Sequence, residues 1–112
     1  MSMNSKIRAA VLPVVPVCVP DLYTGEKTTY CTFQYTEMPQ AFGDDMPQIT
    51  VYLVQVHLFA PCGENVLPLR KQLRNALLSA GFTAPQVENA SDEVSQHYVF
   101  ECEYAGGFDN GD

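Results

Sequence analysis

Residues 48–61 read QITVYLVQVHLFAP, and this stretch decides the fold of the chain. Both faces of a strand formed here would be mostly apolar, with β-branched or aromatic side chains, as is typical of a strand in the middle of a sheet. At about 3.3 Å per residue the strand would be roughly 40 Å long, and a lone hairpin of that length would not be stable. We therefore expect a central strand, with the rest of the chain pairing with it or covering it.

Two other segments show the period of two that predicts strands. Residues 28–38, TTYCTFQYTEM, place Cys31, Phe33 and Tyr35 on one face, opposite a wetter face. Residues 94–105 place aromatic side chains on one face. The opposite face of that segment carries His97, Val99, Glu101 and Glu103. In each strand one face is predicted to pack in the core and the other to meet solvent or a partner.

Prolines restrict two further segments, because proline fixes φ and lacks a backbone N–H. Residues 13–20 contain three prolines and predict an extended segment at the surface or at a sheet edge. Residues 82–90 predict a short strand that Pro85 interrupts, so we place it at an edge as well.

Two helices are predicted. Residues 66–80 repeat apolar side chains every three or four positions, which indicates an amphipathic helix. Pro68 lies in its first turn, where the missing N–H costs little, and Gly81 follows at the expected C-cap. Residues 1–12 predict a shorter helix, capped by a serine or asparagine near its start.

Together these elements predict a single α+β domain over residues 1–112. We expect an antiparallel sheet with a long central hairpin and about two helices packed on one face. A helical segment over residues 1–14 begins this domain, and a flexible glycine-rich tail over residues 106–112 ends it.

The composition excludes several classes of partner. The chain has 6 Lys and Arg against 13 Asp and Glu, a net charge of −7. Tight binding to nucleic acid is disfavoured, because that affinity comes from clustered Lys and Arg. The four cysteines form no CxxC motif and are predicted to be reduced thiols. No apolar run has the length of a signal peptide or the ~20 residues that span a bilayer, so a cytosolic protein without a membrane partner is expected.

The candidates for catalysis are few. His57 and His97 are the only histidines, and both fall in predicted strands, where a cross-strand pair is more often packing than a site. Glu101 and Glu103 share a strand face, which exposed strands often show. Glycine-rich phosphate-binding motifs are absent from the sequence. We therefore predict no catalytic residue, no cofactor and no metal site.

Two charged features each have two interpretations, an ordinary solvated surface or a contact with a partner. Residues 39–47, PQAFGDDMP, predict a polar loop longer than a tight turn requires, and its Asp44 and Asp45 lack the ligand series of a calcium loop. The second feature is a basic cluster on the predicted helix, away from its apolar stripe. It consists of Arg70, Lys71 and Arg74.

Five segments between residues 15 and 106 follow one another in a familiar layout. They read PVCVPDLYTGEKTTYCTFQYTE, PQAFGDDMP, ITVYLVQVHLFAP, ENVLPLRKQLRNALLSAGF and SQHYVFECEYAG. This layout resembles that of the tail terminator (tail completion) proteins of long-tailed bacteriophages, small α+β proteins that form a hexameric ring on the end of the tail tube. The resemblance is one of layout rather than of an invariant motif, and related tail and head-tail joining proteins share it.

The resemblance implies a structural protein of the virion tail, found in the host cytoplasm during assembly. Such proteins stop growth of the tail tube and present the surface on which the filled head docks. The implied partners are further copies of the chain in a homo-hexameric ring, the tail tube protein and the head-tail connector proteins. DNA would only pass through the channel, and an acidic lining would let it pass without binding.

A ring requires two different patches that meet at each subunit boundary. From charge sign alone, we expect one patch on the sheet face around Val99 and its complement on the basic cluster, with the polar loop as a ring or tube contact. The expected interface residues are Phe42, Asp44, Asp45, Arg70, Lys71, Arg74, His97, Glu101 and Glu103.

Two rival functions follow from the same residues. One is a head-tail connector or a monomeric module that binds a protein partner through an exposed sheet edge. The other is a small enzyme that uses His57 and His97, which a pH-dependent turnover near the histidine pKa would reveal. A homo-hexamer in solution would favour the ring.

Overall fold

The stretch of residues 49–60 is the middle strand of a five-stranded sheet in a computed structural model, which describes residues 2–40 and 49–107. The elements in chain order are α1 (Met3–Val11), β1 (Cys18–Pro20), β2 (Tyr30–Gln40), β3 (Ile49–Ala60), α2 (Leu67–Ser79), β4 (Gln86–Asn89) and β5 (Gln96–Gly107). The strand order is β1-β2-β3-β5-β4, which confirms the central position of β3 and the α+β class.

Three of the four strand pairs are antiparallel. β3 pairs with β2 from Ile49 to Phe59 and with β5 from Ile49 to Ala60, so nearly its whole length is paired on both sides. β4 pairs antiparallel with the outer side of β5. The short strand β1 pairs parallel with β2, so the sheet is antiparallel, as predicted, except at this edge. The residues that would connect β2 and β3 in the predicted hairpin lie outside the described residues.

The helix α1 begins after Ser2, whose hydroxyl oxygen accepts a hydrogen bond from the backbone N–H of Ser5 at 3.1 Å. Such a cap satisfies one of the N–H groups that the first turn leaves unpaired. The helix ends at Val11, earlier than the predicted helical segment of residues 1–14, because the chain enters a turn over residues 12–14 that contains Pro13. Residues 13–20 were predicted to lie at the surface or at a sheet edge. The strand β1 within this segment does lie at the edge of the sheet, whereas Val15 is completely buried.

The helix α2 is close to its prediction. Pro68 lies in the first turn, and Gly81 ends the helix with a φ of 99°, a left-handed conformation that glycine adopts without steric cost. Leu73 and Leu77 are completely buried, as the apolar spacing predicted.

One face of the sheet and both helices form a single core. The buried side chains of β3 alternate along the strand and contact buried residues of α1 and α2 in one cluster. Phe33 of β2 and Phe100 of β5 flank them in the same cluster. Burial of one such large apolar side chain contributes about 1.5–3 kcal/mol. The cluster holds together the helix layer and the three long strands.

The two helices pack on one face of the sheet, as predicted. The alternate side chains of β3, Val51, Gln55, His57 and Phe59, stay partly exposed on the other face, which we call the open face. At the end of the chain, Gly106 and Gly107 belong to β5, so the strand runs two residues into the segment predicted as a tail over residues 106–112. The rest of that predicted tail lies outside the described residues.

Candidate functional site

The open face is the candidate site because it brings side chains of four strands into rows. The register places each row across β2, β3 and β5 in turn, and the polar row continues onto β4. Tyr30, Phe59 and His97 form an aromatic row; Gln34, Gln55, Glu101 and Gln86 form a polar row; Met38, Val51 and Ala105 lie toward the far end. Each row has a different chemistry, so the face is divided into zones.

The aromatic row is a continuous stack. The ring centroids of Tyr30 and Phe59 are 4.9 Å apart, and those of Phe59 and His97 are 4.2 Å apart, with planes 19° and 17° from parallel. Tyr23, from the loop before β2, packs against Tyr30 at 4.7 Å between ring centroids, with its plane tilted by 42°. Stacked rings at these distances stabilise the sheet beyond their buried area.

A histidine pair lies beside this row. The Nδ1 atom of His57 and the Nε2 atom of His97 are 2.8 Å apart, a hydrogen-bond distance. The Nε2 atom of His57 is buried and lacks a hydrogen-bond partner among the described residues. Because a buried N–H without an acceptor is costly, we assign the proton of His57 to Nδ1, which then donates to His97.

The surroundings of the histidine pair favour the neutral imidazoles. Burial lowers the pKa of His57, and the neighbouring His97 lowers it further. Burial also lowers the pKa of His97, which Asp92 opposes in part. The Asp92 carboxylate itself accepts hydrogen bonds from the backbone N–H groups of Val94 and Ser95, so its role is to hold the turn before β5.

The polar row lies at a concavity in the open face. Gln34 donates a hydrogen bond from Nε2 to Oε1 of Gln55 at 3.0 Å, which fixes both amides across two strands. Glu101 and Glu103 lie on the far side of a concavity of about 500 Å³ that is open to solvent on one side. Its rim of amide and carboxylate oxygens is rich in hydrogen-bond acceptors, which suits a cationic group.

The far end of the open face is apolar. Met38, Ile49 and Leu53 are each exposed by about two fifths of their surface, which is high for side chains of this size. Contiguous exposed apolar side chains are common at protein–protein contacts.

The structure separates the charges of the protein between its two layers. Of the six Lys and Arg residues two lie in α1 and three in α2, and neither helix contains Asp or Glu. The five strands contain glutamates but neither Lys nor Arg. The helix layer is therefore basic, and the sheet layer is acidic.

The predicted interface residues fall into different places. Glu101 and Glu103 lie together at the concavity, whereas His97 is held in the histidine pair, roughly 13 Å from Glu101 along the strand. The basic cluster lies in the helix layer, on the other side of the sheet. The remaining predicted residues Phe42, Asp44 and Asp45 lie outside the described residues.

The three basic residues of α2 are not equivalent. The Arg70 guanidinium carbon lies 4.1 Å from the centre of the Tyr98 ring, and its Nε atom is buried. Lys71 and Arg74 are exposed. Arg70 is therefore part of the fold, while Lys71 and Arg74 are available to a partner.

The glutamines of the polar row were not among the predicted site residues. Gln34 lies on the wetter face of β2, and Gln55 is a polar residue inside the mostly apolar β3. Their importance depends on the register that places them side by side, which the alternating pattern does not specify.

The cysteines do not form a site. Cys18, Cys31 and Cys102 are buried, and burial raises the pKa of Cys18 to about 11 and that of Cys102 to about 12, so both are neutral thiols. Cys62 is exposed. All four are free, as predicted from their spacing. Among residues 2–40 and 49–107 we find no group of three or more side chains placed to bind a metal ion.

Neither of the helices in the described part of the chain is long and apolar enough to cross a membrane. In comparisons with known proteins, no protein family matches this chain. No curated protein sequence matches it significantly.

Proposed function

We propose that this protein is a structural virion protein that forms a ring at the head-proximal end of a bacteriophage tail. In this role it stops polymerisation of the tail tube and provides the surface for head-tail joining. The proposal starts from the layout of segments that resembles tail terminator proteins.

The separation of charge between the two layers is the observation that best supports a ring. A ring needs two different patches on each subunit, because a head-to-tail contact never brings a patch against itself. Here the acidic open face and the basic helix layer lie on opposite sides of one subunit. The exposed apolar end of the open face supplies additional area for burial.

The test is the mass of the purified protein by light scattering over a range of protein and salt concentrations, followed by negative-stain imaging. We expect closed rings of about six subunits, favoured by low salt. Filaments of indefinite length, or particles without a ring shape when tail tubes are added as a template, would contradict the proposal.

A second candidate is a head-tail connector or a protein-binding module that stays monomeric. It is favoured by the outer edge of β2, which β1 covers only over residues 31–33. An uncovered strand edge is a common docking site for an extended segment of another protein. A monomer that binds a single partner would favour this candidate over the ring, and a gene away from those for tail tube proteins would favour the protein-binding module.

A further inference from the structure

The concavity of the open face and the exposed cations of α2 match in charge. Glu101 and Glu103 line the concavity together with the amides of Gln34, Gln55 and Gln86. All of these groups offer oxygen atoms as acceptors, and the carboxylates add negative charge. On the other side of the subunit, α2 exposes positive charge and has no acidic residue to neutralise it.

The two sets also match in spacing. Lys71 and Arg74 are three residues apart on a helix, which places their Cβ atoms about 5–6 Å apart on one face. Glu101 and Glu103 are two residues apart on one face of β5, about 6.6 Å along the strand. The two cations and the two carboxylates are therefore spaced by similar distances.

Within one subunit these groups do not meet, because the sheet separates them. The helices pack on the core face, while the concavity opens on the other face. Arg70 does not compete for this role, since it is stacked on Tyr98.

We infer that Lys71 and Arg74 of one copy of this chain dock into the concavity at Glu101 and Glu103 of the next copy. The inference rests on the self-assembly proposed above and names its contact. Because the two patches differ, the contact is head-to-tail, and it forms a ring when the rotation from one subunit to the next closes. The hydrogen bond between Gln34 and Gln55 holds the amide wall of the concavity in place for an incoming guanidinium.

The test uses two charge-reversed variants of the full chain. The variant E101R/E103R makes the concavity basic, and the variant K71E/R74E makes the helix patch acidic. Each variant alone brings like charges together, so we expect self-association to weaken by about 10- to 100-fold in sedimentation equilibrium. Mixed in equal amounts, the two variants restore association, because each supplies the patch that the other lacks.

The matched controls change charge by the same sign elsewhere. The variant E37R adds positive charge to β2, and R8E removes positive charge from α1, in both cases at exposed positions outside the contact. We expect the self-association constant of each control to lie within about 3-fold of the wild-type value after correction for net charge. A rise in salt concentration from about 50 to 500 mM is expected to weaken self-association of the wild type, because salt screens the charged contact but not the apolar part of the interface.

The outcomes separate this inference from the proposed function. If the wild type forms rings but the mixed variants do not restore association, the docking inference is wrong and the ring stands. If the mixture restores association but only open chains form, the contact stands and the ring is wrong. A wild type that stays monomeric up to about 1 mM overturns the docking inference, whereas rings templated on tail tubes would still support the ring.

Discussion

At the scale of single residues, the histidine pair links stability to pH. A neutral pair shares one hydrogen bond at 2.8 Å, but a second proton on either ring would leave a buried N–H unsatisfied or place like charges together. The pair therefore stays neutral, and its place in the aromatic stack gives it a structural role in the sheet.

We predict that the protein loses stability as the pH falls below about 6.5, the ordinary histidine pKa. The folded pKa values of His57 and His97 are lowered, so below that pH the unfolded chain binds more protons than the folded one. Urea unfolding between pH 8 and 5 measures the loss, and the variant H57Q/H97Q should show a flatter profile. Imidazole titrations by NMR with midpoints at or above 6.5 in the folded protein would contradict the assignment.

Arg70 and Arg74 lie one turn apart on the same helix but have different surroundings. Arg70 is stacked on Tyr98, so R70A is expected to lower the free energy of unfolding by about 1–2 kcal/mol. Arg74 is exposed, so R74A should change it by less than about 0.5 kcal/mol. Urea denaturation of both variants measures the difference, and equal losses would argue against the stacking role.

At the scale of elements, α2 is held by its buried stripe rather than by its capping. Val66 at its N-cap position has an apolar side chain that makes no capping hydrogen bond, and Asn65 Oδ1 accepts from the backbone N–H of Leu67 at 3.2 Å. Most of its stability therefore comes from packing of the apolar face against the sheet. This arrangement leaves the opposite face free to carry Lys71 and Arg74 without cost to the core.

Two neighbouring leucines test this account of α2. Leu77 is completely buried, so L77A should cost about 2–5 kcal/mol through lost contacts and the cavity left behind. Leu78 is 45% exposed, so L78A should cost less than about 0.5 kcal/mol. Thermal or urea unfolding gives the comparison, and a large effect at Leu78 would mean that this side chain is covered in solution, for example by another subunit.

At the scale of the whole molecule, a long three-stranded ribbon carries a helix layer on one side only. β3 is paired on both sides, whereas β1 and β4 are short edge strands. We therefore predict that backbone amides of β3 such as Val54 and Val56 exchange with deuterium slowest, while those of β4 such as Glu88 exchange fastest among the strands. Hydrogen-exchange mass spectrometry or NMR measures the order, and slow exchange in β4 would indicate that this edge is covered.

Much of this architecture follows from patterns that are local in the sequence. The alternation in residues 48–61 and 94–105 predicted β3 and β5 and their faces, because a strand places successive side chains on opposite sides. The spacing of leucines and the position of Gly81 predicted α2 nearly to its ends. The identity of a strand as central also followed, since only a strand paired on both sides has apolar residues along its whole length.

The tertiary structure decided what those patterns leave free. Both faces of β3 are mostly apolar, so the local pattern does not specify which face the helices cover; their packing leaves the face with Val51 and Phe59 open. The meeting of His57 with His97, the polar row at the concavity and the stacking of Arg70 on Tyr98 all depend on strand register and on helix placement. The sequence by itself thus determined the elements and their apolar faces through short-range periodicity. Only the tertiary structure decided which distant residues share a surface, because those contacts depend on how the elements pack together.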